Sequence, residues 1–348
     1  MAAAAAHAVE LTARERLIFE SIVKNFIESA TPVGSRFLTK KYRLGLSPAT
    51  VRNIMADLEE KGLIRQPHTS AGRVPTDLGY RVYVDQLMRR EKLSPGEKAA
   101  IVRSLRTVSR DVEIILEKAS RLLGRISSQL GVVLAPRFLE GVLERIELVP
   151  VASRRVLVVL TVKSGLVRTV LMEIDSDVPP QRLETIARLM NERLQGLTLK
   201  QLKEQLAERT RDLDEADRGL VNMFGRTAEE VLRFDTEAHY HVSGTQNILS
   251  QPEFSDREKM RKILELLESK EIIIQVLQEG EEEGRISITI GEENEEELLR
   301  NCSLVTATYR VGSLRGTLGV IGPTRMPYAR VVALVDFMAR TLPHVMGC

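Results

Sequence analysis

The sequence predicts a multidomain α+β chain that opens with a winged helix-turn-helix. Three observations predict this. Helical periodicity with well-placed caps runs from Thr12 to Gly62, and two short strand-like runs flank a Pro/Gly loop directly afterwards. Strand runs then alternate with amphipathic helices over the remaining two thirds. With 348 residues, 43% of them hydrophobic, the chain is long enough for roughly two or three domains with real cores.

Thr12 is a good N-cap for a first helix whose Leu17, Ile18, Ser21, Ile22, Phe26 and Ile27 line one stripe. Pro32-Val33-Gly34-Ser35 stops that helix, and Ser35 is positioned to cap a short second one running to Arg43. Leu44-Gly45-Leu46 is a three-residue turn of the kind that joins the helices of this motif. The third helix has Ser47 as its N-cap, Pro48 at the first helical position and Gly62 where a left-handed C-terminal residue belongs.

In that third helix Val51, Ile54, Met55 and Leu58 fall on one buried face. Ala49, Arg52, Asn53 and Ala56 point the other way, with Thr50 on the flank. Such residues suit base readout in a major groove. Arg bonds guanine O6 and N7, Asn bonds adenine N6 and N7, and Ala or the Thr methyl touches a thymine methyl. A solvated helix face has the same composition, and it is the surrounding motif that favours readout.

Leu63-Ile64-Arg65 and Arg73-Val74 read as the strands of a wing, joined through Gln66-Pro67-His68-Thr69-Ser70-Ala71-Gly72. His68, Ser70, the Gly72 amide and the Arg73 guanidinium suit phosphate or minor-groove contact. Thr76 then caps a helix containing Tyr80, Tyr83, Val84 and Leu87. Arg36 to Arg90 holds eleven Lys or Arg against five Asp or Glu, whereas the whole chain has 50 against 48, so positive charge is concentrated on this module. Its expected partner is double-stranded DNA. The candidate contact residues are Ser35, Ser47, Ala49, Thr50, Arg52, Asn53, His68, Ser70, Gly72 and Arg73.

The stretch PVGSRFLTKKYRLGLSPATVRNIMADLEEKGLIRQPHTSAGRVPTDLGYRVYVDQL resembles the N-terminal part of the HrcA family of bacterial heat-inducible transcription repressors. GTQNILSQPEF (Gly244 to Phe254) and GTLGVIGPTRMPYARVVALVDFMARTL (Gly316 to Leu342) resemble that family's C-terminal half, in the right order and at the right distance. The resemblance implies a winged-helix domain, a GAF-like domain and a dimerising domain inserted into it. It also implies a homodimer bound to an inverted-repeat operator upstream of chaperone operons, with the chaperonin keeping the repressor competent. The Ala-rich start, Met1 to Val9, departs from the family and is expected to be a disordered extension. Expected boundaries are residues 1–10 for the extension, 11–92 for the winged helix, 93–140 with 238–348 for the GAF-like domain, and 141–237 for the dimerising one.

Ser94-Pro95-Gly96 reads as a linker, followed by helical spacing from Ile101 to about Leu130, with Ser109 able to start a fresh helix inside that run. Strand runs at Leu143 to Val151, Arg155 to Lys163 and Val167 to Ile174 come next, the last two joined by the hairpin signal Ser164-Gly165. Amphipathic helices follow from Pro179-Pro180 through Leu202, Leu206, Leu220, Val221 and Leu232. A sheet covered by helices on one side needs its other apolar face covered, which suits a dimer interface. The final third predicts a helix from Asp256 to Ser269, strands at Ile272 to Leu277, Arg285 to Gly291, Ser303 to Val311 and Gly316 to Ile321, and a closing helix from Tyr328 to Arg340. Nine Glu against one Arg between Glu279 and Glu297 make a patch that DNA would repel, and also a composition ordinary for solvated loops.

Asp235, Glu237, His239 and His241 alternate and would share one strand face, a weak signal for a metal site with no Cys nearby, so no metal or other cofactor is expected. Gly312 to Gly322 lacks the Lys-Ser/Thr ending of a phosphate-binding loop and reads as a hairpin. No arrangement of nucleophile, base and orienting group is legible, so catalysis is not expected. Cys302 and Cys348 make no disulfide framework, and neither a membrane span nor a secretory leader is evident, which together suit the cytoplasm. The alternative function is a ligand-responsive winged-helix regulator that uses the GAF-like domain as a small-molecule sensor.

Overall fold

The computed structural model describes residues 9–42, 45–68, 71–106, 112–136, 140–174, 177–213, 219–224, 240–279, 286–312 and 314–346. Most of the Ala-rich start, the Arg43-Leu44 pair, Ser109, Leu232 and Cys348 lie outside these residues.

Helix α1 (Ala13–Ser29) starts in a capping box: the Thr12 hydroxyl accepts the Glu15 amide while the Glu15 carboxylate accepts the Thr12 amide. Its Ile18, Phe19, Ile22 and Val23 are buried against Leu38 of α2 (Ser35–Tyr42) and Val51, Met55 and Leu58 of α3 (Pro48–Glu60). Ser35 is the first residue of α2 rather than a cap ahead of it, because the Leu38 amide donates to the carbonyl of Gly34. Gly45 between α2 and α3, and Gly62 after α3, hold φ of 64° and 71°, where a Cβ would be strained. Strands β1 (Ile64–Arg65) and β2 (Val74–Pro75) pair antiparallel, and Val33 extends the ribbon by exchanging two 2.9 Å hydrogen bonds with Arg73. Thr76 caps α4 (Asp77–Val82), which continues as a π-helical turn (Tyr83–Leu87).

Ser94-Pro95-Gly96 is a helix start and not a linker. The Ser94 amide and hydroxyl both donate to Glu97, and the Glu97 amide donates back, which caps α5 (Pro95–Arg106). Helix α6 (Val112–Ser127) follows and ends close to the expected limit near Leu130, where a strand that the sequence reading did not include begins: β3 (Leu130–Leu134), buried throughout.

β3 belongs to an antiparallel five-stranded sheet of order β7-β3-β10-β9-β8, with β7 (Tyr240–Ser243), β8 (Ile286–Ile290), β9 (Cys302–Val311) and β10 (Leu314–Pro323). Val133, Val305, Tyr309 and Val320 on one face pack with α6 and the closing helix, which extends from Tyr328 to Met346. The other face, with Val132, Leu304 and Ile321, packs under two helices, Arg257–Glu268 and Lys270–Glu279. The second of these was expected as a strand over Ile272 to Leu277. The core selected a helix, in which Ile273 and Leu277 share one buried face.

Between β3 and β7 the chain forms a separate antiparallel sheet of β4 (Leu143–Ala152), β5 (Arg155–Val162) and β6 (Val167–Glu173). A helix, Pro180–Leu194, buries Leu183, Ile186 and Met190 within the same core as Ile146, Val158 and Leu160 of that sheet. The opposite face carries Val149, Leu157 and Leu171 in one cross-strand row, and Val149, Val151, Val167 and Leu171 are 44%, 60%, 50% and 48% exposed. Among the described residues no helix is long and apolar enough to cross a membrane.

Candidate nucleic-acid interface

The local sequence around α3 explains both its anchoring and its free face. The Ser47 hydroxyl accepts the Thr50 amide at 3.1 Å and lies 2.9 Å from the Thr50 hydroxyl, so these two side chains tie off the first turn. Val51, Ile54, Met55 and Leu58 face the core. Ala49, Arg52, Asn53 and Ala56 are exposed on the opposite side and Thr50 is half-buried. Among the described residues Arg52 and Asn53 have no hydrogen-bonded or ionic partner, so their full donor and acceptor capacity faces outward. The helix start adds a positive dipole end to the same surface, although Pro48 has no amide hydrogen and the Thr50 and Val51 amides are taken by Ser47.

The wing is fastened to the far end of α3 by one residue that the sequence did not single out. Glu59 accepts the Gln66 amide (3.1 Å) with one carboxylate oxygen and the Arg73 Nε (2.9 Å) and Nη2 (2.8 Å) with the other. Arg73, expected as a free phosphate contact, therefore has its guanidinium turned to Glu59, which holds both arms of the wing. The pair is 14 positions apart, and no periodicity or motif links them. Gly72 has a steric reason of its own: a Cβ there would come 2.5 Å from the Val33 backbone, preventing the Val33–Arg73 rung. His68 is exposed, and its carbonyl accepts the Ala71 amide (2.9 Å) in the wing's turn. Ser35 is half-buried at the start of α2, and Ser70 lies outside the described residues.

Of the four metal candidates only His241 lies within the described residues. Asp235, Glu237 and His239 lie outside the described residues, while His241 Nε2 sits 3.1 Å from Glu113 on α6. Among the described residues no group of three His, Cys, Asp or Glu is placed to hold a metal.

Three packed helices, the third capped and carrying an open polar face, and a two-stranded ribbon open a mixed α+β protein with several antiparallel sheets. The C-terminal domain profile of the HrcA protein family matches residues 113–332. The heat-inducible transcription repressor HrcA of Prosthecochloris aestuarii is 43% identical over 347 residues, covering 96% of this chain and 97% of its own length. Those of Pelotomaculum thermopropionicum (97% of each chain covered) and Geobacter sulfurreducens (97% and 98%) are each 38% identical. The chain belongs to the HrcA family of heat-inducible transcription repressors, which are not enzymes. A solved structure described as a hypothetical protein shares the fold, with a TM-score of 0.69 at 23% identity over 97% of this chain and 99% of that one.

Proposed function

We propose that the chain represses chaperone operons in the cytoplasm by binding an inverted-repeat operator as a homodimer, with the chaperonin maintaining its competence. The observation that carries the reading is the exposed Arg52 and Asn53, without a side-chain partner among the described residues, on a helix whose other face is locked into a core. Ser47, Ala49 and Thr50 border the same groove-facing surface. His68, Ser70 and the Gly72 amide supply the wing's backbone contacts, and Arg73 positions the wing through Glu59.

Residues 11–92 form the DNA-binding domain in this reading, and residues 93–140 with 238–348 the GAF-like domain. Residues 141–237 form the dimerising domain, supported by the exposed apolar row on β4, β5 and β6, which a second copy of the chain would cover. The family resemblance supports the chaperonin's part.

Fluorescence anisotropy with an inverted-repeat duplex and a single half-site duplex tests the proposal. Two chains per full duplex, far tighter binding to it than to the half-site, loss of binding on heating and its recovery with chaperonin are the expected results. Equal affinity for both duplexes with one chain bound to each contradicts the dimeric reading.

A further inference from the structure

Helix α4 closes the winged-helix module and also ties it to the five-stranded sheet. The Arg81 guanidinium, its side chain 9% exposed, grips Glu293, 212 positions later, through Nε (2.8 Å) and Nη2. It also donates to the Ile288 carbonyl (2.6 Å) and to Asp85 (3.2 Å).

The receiving turn is built to hold its shape. Glu293 accepts the Ile290 amide (2.9 Å), and buried Asn294 donates to the carbonyls of Gly291 (2.8 Å), Leu299 (3.1 Å) and Cys302 (3.1 Å) while accepting the Thr289 hydroxyl. Asp77, at the start of α4, accepts the Glu292 amide (3.2 Å) and presses on Gly291, whose φ is 55° and where any Cβ would collide with the Asp77 carboxylate.

A second clamp meets the C-terminal end of α1. Arg325 donates to the Ile27 carbonyl (2.6 Å) and is held in turn by Gln251 (3.0 Å) and by both oxygens of Glu253. Between the clamps the rings of Tyr80 and Tyr328 meet with centroids 5.9 Å apart. The segments around Gln251 and Arg325, which the DNA-reading account leaves without a role, thus converge on the winged-helix module.

Interdomain contacts of modest size ordinarily allow domain motion. Here the contact is made by buried guanidinium groups, and a buried charge that loses its partner is strongly penalised, so partial opening is disfavoured. The contact is therefore either complete or released. The exposed face of α3 remains open while it is complete.

We propose that the Arg81–Glu293 and Arg325–Ile27 contacts form a latch that fixes the angle of the winged-helix module, and that operator affinity, unlike half-site affinity, requires the latch closed. The proposal rests on the dimeric operator reading above. Two modules held at fixed angles meet both half-sites at a high effective concentration, whereas a swinging module loses that advantage without losing its own contacts.

The test uses the full-length chain with Gly291→Ala, which drives a methyl into Asp77, and Glu293→Gln, which keeps the side-chain shape should the first variant fail to fold. Module orientation is read from the distance distribution between spin labels at Glu60→Cys and Glu268→Cys, both exposed, in a Cys348→Ser background. The expected result is a broadened distribution, half-site affinity within about twofold of the parent and operator affinity lower by at least about tenfold. A broadened distribution with unchanged or raised operator affinity overturns the latch, as does a distribution that stays narrow in both variants. If the parent itself shows no preference for the inverted repeat over the half-site, the dimeric operator reading fails first, and the latch with it.

Discussion

Replacing Arg52 or Asn53 with Ala should separate readout from folding. Both side chains are exposed and, among the described residues, unpartnered, so their truncation removes no packing and leaves no buried group unsatisfied. Stability should stay within about 0.5 kcal/mol of the parent. A lost bidentate base contact costs about 1–3 kcal/mol, or about 5-fold to about 160-fold in affinity, at each half-site, and a dimer loses it twice. Non-specific duplex affinity should change little for Asn53→Ala and modestly for Arg52→Ala, which also gives up a positive charge. The control is Leu58→Ala on the buried face of the same helix, which should cost about 2–5 kcal/mol of stability. Fluorescence anisotropy on operator and scrambled duplexes, with thermal melts of each variant, measures all of these quantities. If Arg52→Ala and Asn53→Ala both bind the operator like the parent, α3 is not the recognition helix. If either melts as early as Leu58→Ala, the exposed-face argument is wrong.

Arg73→Ala and Glu59→Gln should weaken binding to every duplex alike and add less than the sum of their effects when combined, because both loosen the same wing; independent effects in a double-mutant cycle would show that Arg73 meets DNA by itself. Hydrogen bonds from Arg330 and Ser94 lower the Glu97 carboxyl to about 2, so its contribution is complete above the unfolded value of about 4.3 and is lost as pH falls toward 2. The stability difference between parent and Glu97→Gln should accordingly be constant from pH 7 to about pH 5 and close below that; a difference that grows on acidification refutes the assignment. Burial pushes the Cys302 thiol up to about 12, so in Cys348→Ser protein no thiol should react with a disulfide reagent until the chain unfolds, and rapid native-state labelling would contradict the packing under β9.

The N-terminal helices and their short two-stranded ribbon were legible because their signals are local. Thr12 with Glu15, Ser47 with Pro48, and Gly62 at φ 71° each act within a few residues of themselves. The three-stranded sheet was legible for the same reason, its hairpin turning at Gly165 with φ 80°. Where the reading failed, tertiary burial had overridden a local preference. The segment Ile272 to Leu277, expected as a strand, forms a helix because the second core accepts its Ile273 and Leu277 face, and the short strand Leu130–Leu134 between β7 and β10 went unread because it follows the helical run with only two residues between. Ser94-Pro95-Gly96 looked like a linker because the same residues that break a chain also start helices. Glu59, Arg81 and Arg325 escaped notice because their partners are remote in sequence, so the contacts that fasten the N-terminal module are those a linear reading does not contain.

Selection of bound duplexes from a random pool by the full-length chain tests the central claim most directly, since it presupposes no operator. The account predicts recovery of an inverted repeat whose half-sites are related by a two-fold axis, with Asn53→Ala relaxing preference at one base step in each half. Recovery of no common sequence, or of a single asymmetric site bound by one chain, would contradict it.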